Sequence, residues 1–202
     1  MSTKSGSKGV PRSEREAQIL DAAAIEFGDR GYLATTTAAV AQRAGISKTL
    51  VHKYFQSKED LYCACARRAG ETLTRGIAEA MALPERPGLQ RASDVVAAIF
   101  RALEQRPHDW KILHDRSVPR GGLAEVTARD YRRSLAEQAA AGVSGSYGGV
   151  LNEPSDLSAL AQVWRETVTA LVNWWLRNPE HTVDEMIARA TRMFAVLDDS
   201  AQ

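Results

Sequence analysis

The sequence predicts an all-α protein of about nine helices, on three observations. Apolar residues recur at spacings of three and four along most of the chain, no stretch alternates with period two for long enough to make a strand, and glycine, proline and serine punctuate the pattern at helix-length intervals. With 44% apolar and 25% charged residues in 202, the composition excludes collagen-like, disordered and disulfide-scaffold classes. No uncharged apolar run approaches the roughly 18–20 residues that cross a bilayer. The opening MSTKSGSKGV carries no apolar core of a signal peptide. A soluble, cytoplasmic protein with no membrane association is expected.

Residues 1–12 read as a flexible basic tail, because Ser, Gly and Lys dominate without a period. A first helix opens at Ser13, where Glu16 three residues later suggests a capping box, and buries Ile19, Ala23 and Phe27 until Gly31 stops it. A short second helix opens at Thr35 or Thr36, buries Val40 and Ala41, and stops at Gly45. Ser47 caps a third, running to about Phe55. Ser57, with Asp60 three residues on, opens a long fourth helix to about Met81. Pro84 and Pro87 break the chain. A fifth helix carries Val95, Val96, Ile99, Phe100 and Leu103 up to Pro107, and a short sixth holds Trp110 and Leu113. A seventh spans about 123–141, followed by a flexible loop at 142–149, GVSGSYGG. Helices over about 157–177 and 183–197 close the chain.

The chemistry is concentrated in residues 35–55. Two short helices joined by a glycine turn are the parts of a helix-turn-helix, whose second helix enters the major groove of double-stranded DNA. Val40, Ile46 and Val51 supply its small core. Lys48, Thr49, His52 and Lys53 remain as donors on the last helix, and no acidic residue occurs from Thr35 to Phe55. Charge agrees: the first 72 residues hold 11 basic against 8 acidic side chains, the remainder 15 against 17. Cys63 and Cys65, two apart on a helix, point to different faces and read as small buried hydrophobes. His108, Asp109, His114 and Asp115 lack metal-ligand spacing, and no phosphate loop or nucleophile elbow is present, so no metal, cofactor or enzymatic activity is expected.

Residues 13–65, with ILDAAAIEFGDRGY, TTTAAVAQRAGIS and KTLVHKYFQSKEDL, resemble the DNA-binding domain of the TetR family of bacterial transcriptional repressors. The resemblance implies that Thr36 and Thr37 touch phosphate or cap the second helix. It implies that Lys48 and Thr49 reach base edges. His52 stands where the family usually has a phosphate-contacting tyrosine, Tyr54 would face the backbone, and Lys58 would hold a phosphate. Two departures leave the operator open: Thr49 replaces a frequent glycine, and Ala38 stands where some members carry a base-reading side chain.

The rest of the chain then has two tasks. All four tryptophans lie there, and helical bundles bind ligands between helices, so Trp110, Leu113, His114, Tyr131 and Trp164 are the candidate pocket for an unknown small-molecule ligand. The last two helices carry more apolar surface than one buried face requires. The resemblance implies that they form a four-helix bundle across a homodimer, and Leu171, Trp175, Ile187 and Phe194 are its candidate interface. The organisation is thus a tail (1–12), a DNA-binding domain (13–72) and a ligand-binding and dimerisation domain (73–202) of a ligand-released repressor. The competing readings are an all-helical enzyme or binding protein without a DNA role, and an architectural DNA binder.

Overall fold

The computed structural model describes residues 10–84 and 88–199, with side chains to residue 196. Among the described residues there are nine α-helices and no strand: α1 (Arg12–Ala34), α2 (Thr37–Arg43), α3 (Lys48–Tyr54), α4 (Lys58–Met81), α5 (Gly88–Leu103), α6 (His108–Leu113), α7 (Leu123–Tyr147), α8 (Pro154–Arg177) and α9 (Val183–Asp199). The tail expected at 1–12 lies outside the described residues up to residue 9, as does Pro87. No helix among the described residues is long and apolar enough to cross a membrane.

Three local expectations are corrected. First, Pro11 precedes α1 and no side chain caps it, so the Ser13–Glu16 capping box is not formed. Second, Gly31 kinks α1 with φ 74°, and one more turn follows before Thr35. Third, 142–147 is helix and not loop, because α7 runs on to Tyr147. Gly142 lies against the Met81 side chain of α4 and Val143 is buried, so packing offsets the cost of about 1 kcal/mol per helical glycine. Helix α8 also starts earlier than its periodicity, with Pro154 in the first turn, where a missing N–H costs nothing.

Helix α4 organises the molecule. It packs against α1, α5, α6 and α7, and its buried residues, from Leu61 through Leu73 to Ala80, run along one continuous core. A division at 72/73 falls inside this helix, so the two parts share a helix and a core. The Tyr62 ring meets the rings of Phe27 and Tyr32 edge-on where α1 crosses α4.

The faces of α8 and α9 that bear Leu171, Trp175 and Phe194 turn inward, which corrects their assignment to a subunit interface. Trp175 meets Phe100 of α5 edge-on at 5.5 Å and donates its indole N–H to the His181 carbonyl at 2.9 Å. Phe194, 4% exposed, packs on Trp164. Ile187 is half-buried against the same core. Periodicity marks these residues as buried, and other helices of the same protomer, α5 and α7 among them, are what bury them.

Candidate nucleic-acid interface and internal cavity

The short helices α2 and α3 are held by local bonds. Isolated helices this short are not stable in water, so each start and stop needs a partner. The Thr36 hydroxyl accepts the Ala39 N–H at 3.1 Å, and the Ser47 hydroxyl accepts the Leu50 N–H at 3.1 Å. Between them the turn closes by Gly45 N–H to Gln42 O and Ile46 N–H to Ala41 O, with Gly45 at φ 65°, the paired bonds of a glycine-stopped helix. Val40, Ala41 and Val51 seal the angle between the helices.

This fixes the outer face of α3. Lys48, Thr49, His52 and Lys53 are all exposed on it. The Thr37 hydroxyl lies 3.5 Å from His52 Nε2, so α2 steadies that ring. Tyr54 is half-buried, with the Arg12 guanidinium 5.6 Å above its ring. Lys58 does not extend into solvent. Its ammonium donates to the carbonyls of Tyr32 at 2.9 Å and Thr35 at 3.2 Å and lies 4.4 Å over the Tyr32 ring. Those carbonyls satisfy the charge that the resemblance would give to a phosphate.

Sequence reasoning passed over Glu26, although its spacing from Ile19 and Ala23 places it on the buried face of α1. It is 3% exposed, and it pairs with Arg43 at 2.7 Å and Arg30 at 3.2 Å. Arg43 ends α2, so this carboxylate ties the helix-turn-helix to α1. Gln18 adds a second tie by donating to the Ala44 carbonyl at 2.8 Å.

Behind this unit a cavity of about 530 Å³ lies among α4, α5, α7, α8 and α9. Leu73, Ile77, Val95, Ile99, Val168 and Phe194 give it apolar walls. Trp110, His114 and Trp164, three of the five candidates, line it. Leu113 and Tyr131 do not, which corrects their assignment. Leu113 is fully buried in the core, and the Tyr131 ring is pressed flat over Gly70 of α4. His114 stacks on Trp110 at 4.3 Å and its Nδ1–H donates to the Trp110 carbonyl at 2.9 Å. Burial pushes its pKa below the ordinary histidine value, so the ring is neutral at neutral pH. Arg91, Arg116, Arg132 and Arg165 also line the cavity, against one carboxylate, Glu166. Sequence reasoning passes over these arginines, since nothing in their spacing brings three helices and a loop to one place.

Other titratable groups are structural. Cys63 and Cys65 are free and buried, and burial pushes the Cys65 thiol up to about 12 and raises Cys63, which leaves both unreactive. Asp109, its pKa raised by burial, pairs with Arg68 at 3.3 Å, and Arg68 also holds Asp21 at 2.6 Å, which links α6, α4 and α1. No group of His, Cys, Asp and Glu among the described residues has the arrangement of a metal site.

Comparison with known proteins agrees with this architecture. Residues 19–65, which hold α2, α3 and their supports, match the family described as bacterial regulatory proteins, tetR family. The transcriptional activator FasR of Mycolicibacterium smegmatis is 34% identical over 106 residues, 52% of this chain and 48% of that protein, so the chain matches about half of its length. The regulator BetI of Brucella suis is 31% identical over 156 residues, 66% of this chain and 78% of that protein. Among solved structures, a TetR-like regulator from Rhodococcus sp. RHA1 superposes with a TM-score of 0.70 at 24% identity, covering 92% of this chain and 96% of that one. FadR of Bacillus subtilis, solved with stearoyl-CoA, superposes with a TM-score of 0.66 at 18% identity, covering 90% and 96%. The matched helix-turn-helix, the extent of the BetI identity and the shared fold lead to one conclusion: the chain belongs to the TetR family of bacterial regulatory proteins.

Proposed function

We propose that this protein regulates transcription by binding an inverted-repeat operator as a homodimer, represses from that site, and is released when a small molecule fills the cavity. The observation that carries the DNA reading is the outer face of α3, where Lys48, Thr49, His52 and Lys53 stand exposed in a segment without acidic residues. A helix of this size presents such a face to the major groove, with the side chains of its first turn at base edges. Lys48 and Thr49 read bases. His52 and Lys53 take phosphates, with Thr36, Thr37 and Tyr54 at the flank. Lys58 acts through the Tyr32–Thr35 turn that it holds, in support of that surface.

In this reading residues 13–72 bind DNA and residues 73–202 bind the effector and the second subunit, with α4 common to both. Two-fold symmetry places two α3 helices about one DNA turn apart. The interface is formed by the outward faces of α8 and α9, where Ala159, Val163, Ala170, Ala188 and Ala195 are exposed at helical spacing. The effector is an amphiphile with an apolar body and an anionic end, because the apolar walls carry four arginines against one glutamate. An acyl-CoA has this chemistry, and stearoyl-CoA is what the Bacillus subtilis neighbour holds.

The test is a duplex selected from a random library by the full-length protein. It should emerge as an inverted repeat bound by two chains, and acyl-CoA thioesters of graded chain length should raise its Kd about 5–150-fold, the usual range of allosteric coupling. Selection that yields no common sequence would overturn the operator reading, and tight DNA binding untouched by any thioester would overturn the effector class.

A further inference from the structure

We infer that Asp115 is the positioning residue through which occupancy of the cavity reaches the DNA-reading unit. The inference rests on the reading of the cavity as an effector site. After α6 the chain passes between the two functional regions. His114 and Arg116 line the cavity, and the residue between them grips the end of α1. One oxygen of the Asp115 carboxylate accepts the Tyr32 N–H at 2.6 Å, across 83 positions of sequence. The other accepts the N–H of its own neighbour Ser117 at 2.7 Å, which fixes the carboxylate plane. The Ser117 hydroxyl accepts the Leu33 N–H at 3.4 Å.

The receiving turn is built for this contact. Gly31 has φ 74°, and a Cβ placed there would stand 2.7 Å from the Ser117 hydroxyl, so glycine is required both for the backbone conformation and for the approach. On the opposite side, the Lys58 ammonium takes the Tyr32 and Thr35 carbonyls. An anion thus holds the N–H side of the turn and a cation its C=O side. The next residue, Thr36, caps α2, and Lys58 opens α4. A ligand that moves His114 or Arg116 therefore displaces Asp115, then the turn, then the start of α2 on which α3 rests. Other bonds of this region end elsewhere: the Tyr62 hydroxyl on the Ile112 carbonyl ties α6 to α4, Arg132 of α7 donates to the Leu113 carbonyl, and His108 pairs with Asp29 of α1 at 3.3 Å, whereas Asp115 and Ser117 hold the N–H groups of Tyr32 and Leu33.

Coupling through a residue is shown by interaction energies and not by position, so the test is a double-mutant cycle that needs no identified ligand. Ala139 lines the cavity, and Ala139→Trp serves as a permanent occupant. Asp115→Asn keeps the shape but leaves one acceptor oxygen for two N–H groups. Affinity for the selected duplex is measured for the native protein, each single variant and the double variant, after melting curves establish that all are folded. Ala92→Phe, also in the cavity wall, replaces Ala139→Trp if that protein does not fold. Filling the cavity should weaken DNA binding at least fivefold in the native background and less than twofold with Asp115→Asn. Equal weakening in both backgrounds would overturn the role of Asp115 while leaving the effector reading intact. No weakening in either would remove the effector reading and this inference together. Amide hydrogen exchange gives a second readout: the cavity filler should speed exchange at Tyr32 and Leu33 by tenfold or more. Unchanged protection there, alongside weakened DNA binding, would place the coupling elsewhere.

Discussion

The helices from α2 to α4 and those from α6 to α8 are started in different ways. Thr36, Ser47 and Ser57 each accept a backbone N–H three residues ahead, so three consecutive helices begin with a side-chain cap. Pro107, Gly122 and Glu153 stand at the starts of α6, α7 and α8 and supply no such bond. The seven-residue helices α2 and α3 have little packing surface, so local bonds must fix them. The 25-residue α7 and 24-residue α8 are fixed by what they pack against and surround a cavity. Local bonds thus place the DNA-reading helices, whereas packing places α7 and α8; α9, also a wall of the cavity, has both, since the Thr182 hydroxyl accepts the Glu185 N–H at 3.2 Å.

The contrast is sharpest if the two regions nevertheless fold as one. Phe27 is 1% exposed and lies in the core that continues along α4 into the second region. Phe27→Ala should cost about 3–5 kcal/mol. Calorimetry should show one transition moved to lower temperature, and two separate transitions would make the regions independent bodies.

Next in size is the electrostatic effect. Replacing Lys53 by alanine should lower the salt slope of log Kd by about 0.9 in each protomer, whereas Lys48→Ala should change the sequence preferred. Both side chains are exposed, so the melting temperature and effector binding should hold. A change in melting temperature would mean that the face serves the fold as well as DNA.

Ser47→Ala tests the caps directly. It should cost about 1 kcal/mol and weaken DNA binding by fraying α3, with no effect on ligand affinity. Removing the Glu153 side chain at the start of α8 should change stability by less than about 0.5 kcal/mol, since it makes no capping bond. Equal losses would erase the distinction between the two regions.

The smallest effect is with pH. Burial lowers the pKa of both His108 and His114, so the unfolded chain binds protons first as pH falls. The stability due to the neutral rings is complete above about 6.5, the ordinary value, and is lost as pH falls through it towards the lower folded-state values. Each ring should account for about 1 kcal/mol or less between pH 7 and 5.5. Denaturation midpoints across that range should fall less steeply in His114→Gln, and an unaltered slope would show that folding leaves the proton affinity of this ring unchanged.

How far the chain could be read in advance follows the range of the interactions. Gly45, Ser47 and Ser57 were legible because their bonds close within three to five residues, and a sequence displays such neighbours side by side. The helical class and the helix-turn-helix were therefore determined by sequence alone. The glycine-rich end of α7 was read as loop because local composition carries no record of the Met81 side chain that meets Gly142. Lys58 reads as a phosphate ligand for the same reason: the Tyr32 and Thr35 carbonyls that occupy it lie 26 and 23 positions away.

Periodicity reported correctly that Leu171, Trp175 and Phe194 are buried, yet it did not say by what. Hydrophobic burial has no direction, so the same apolar stripe suits a second subunit, a ligand or another helix. Only the tertiary structure gave these side chains to the protomer's own core. It likewise turned Trp110 and His114 towards the cavity while closing Leu113 and Tyr131 off from it. The contact between Asp115 and Tyr32 exists only because α6 crosses the end of α1. Sequence alone determined the secondary structure of the DNA-reading unit and the chemistry it displays, because those depend on near neighbours; which faces meet, what they enclose and how the two regions touch depended on packing between distant segments.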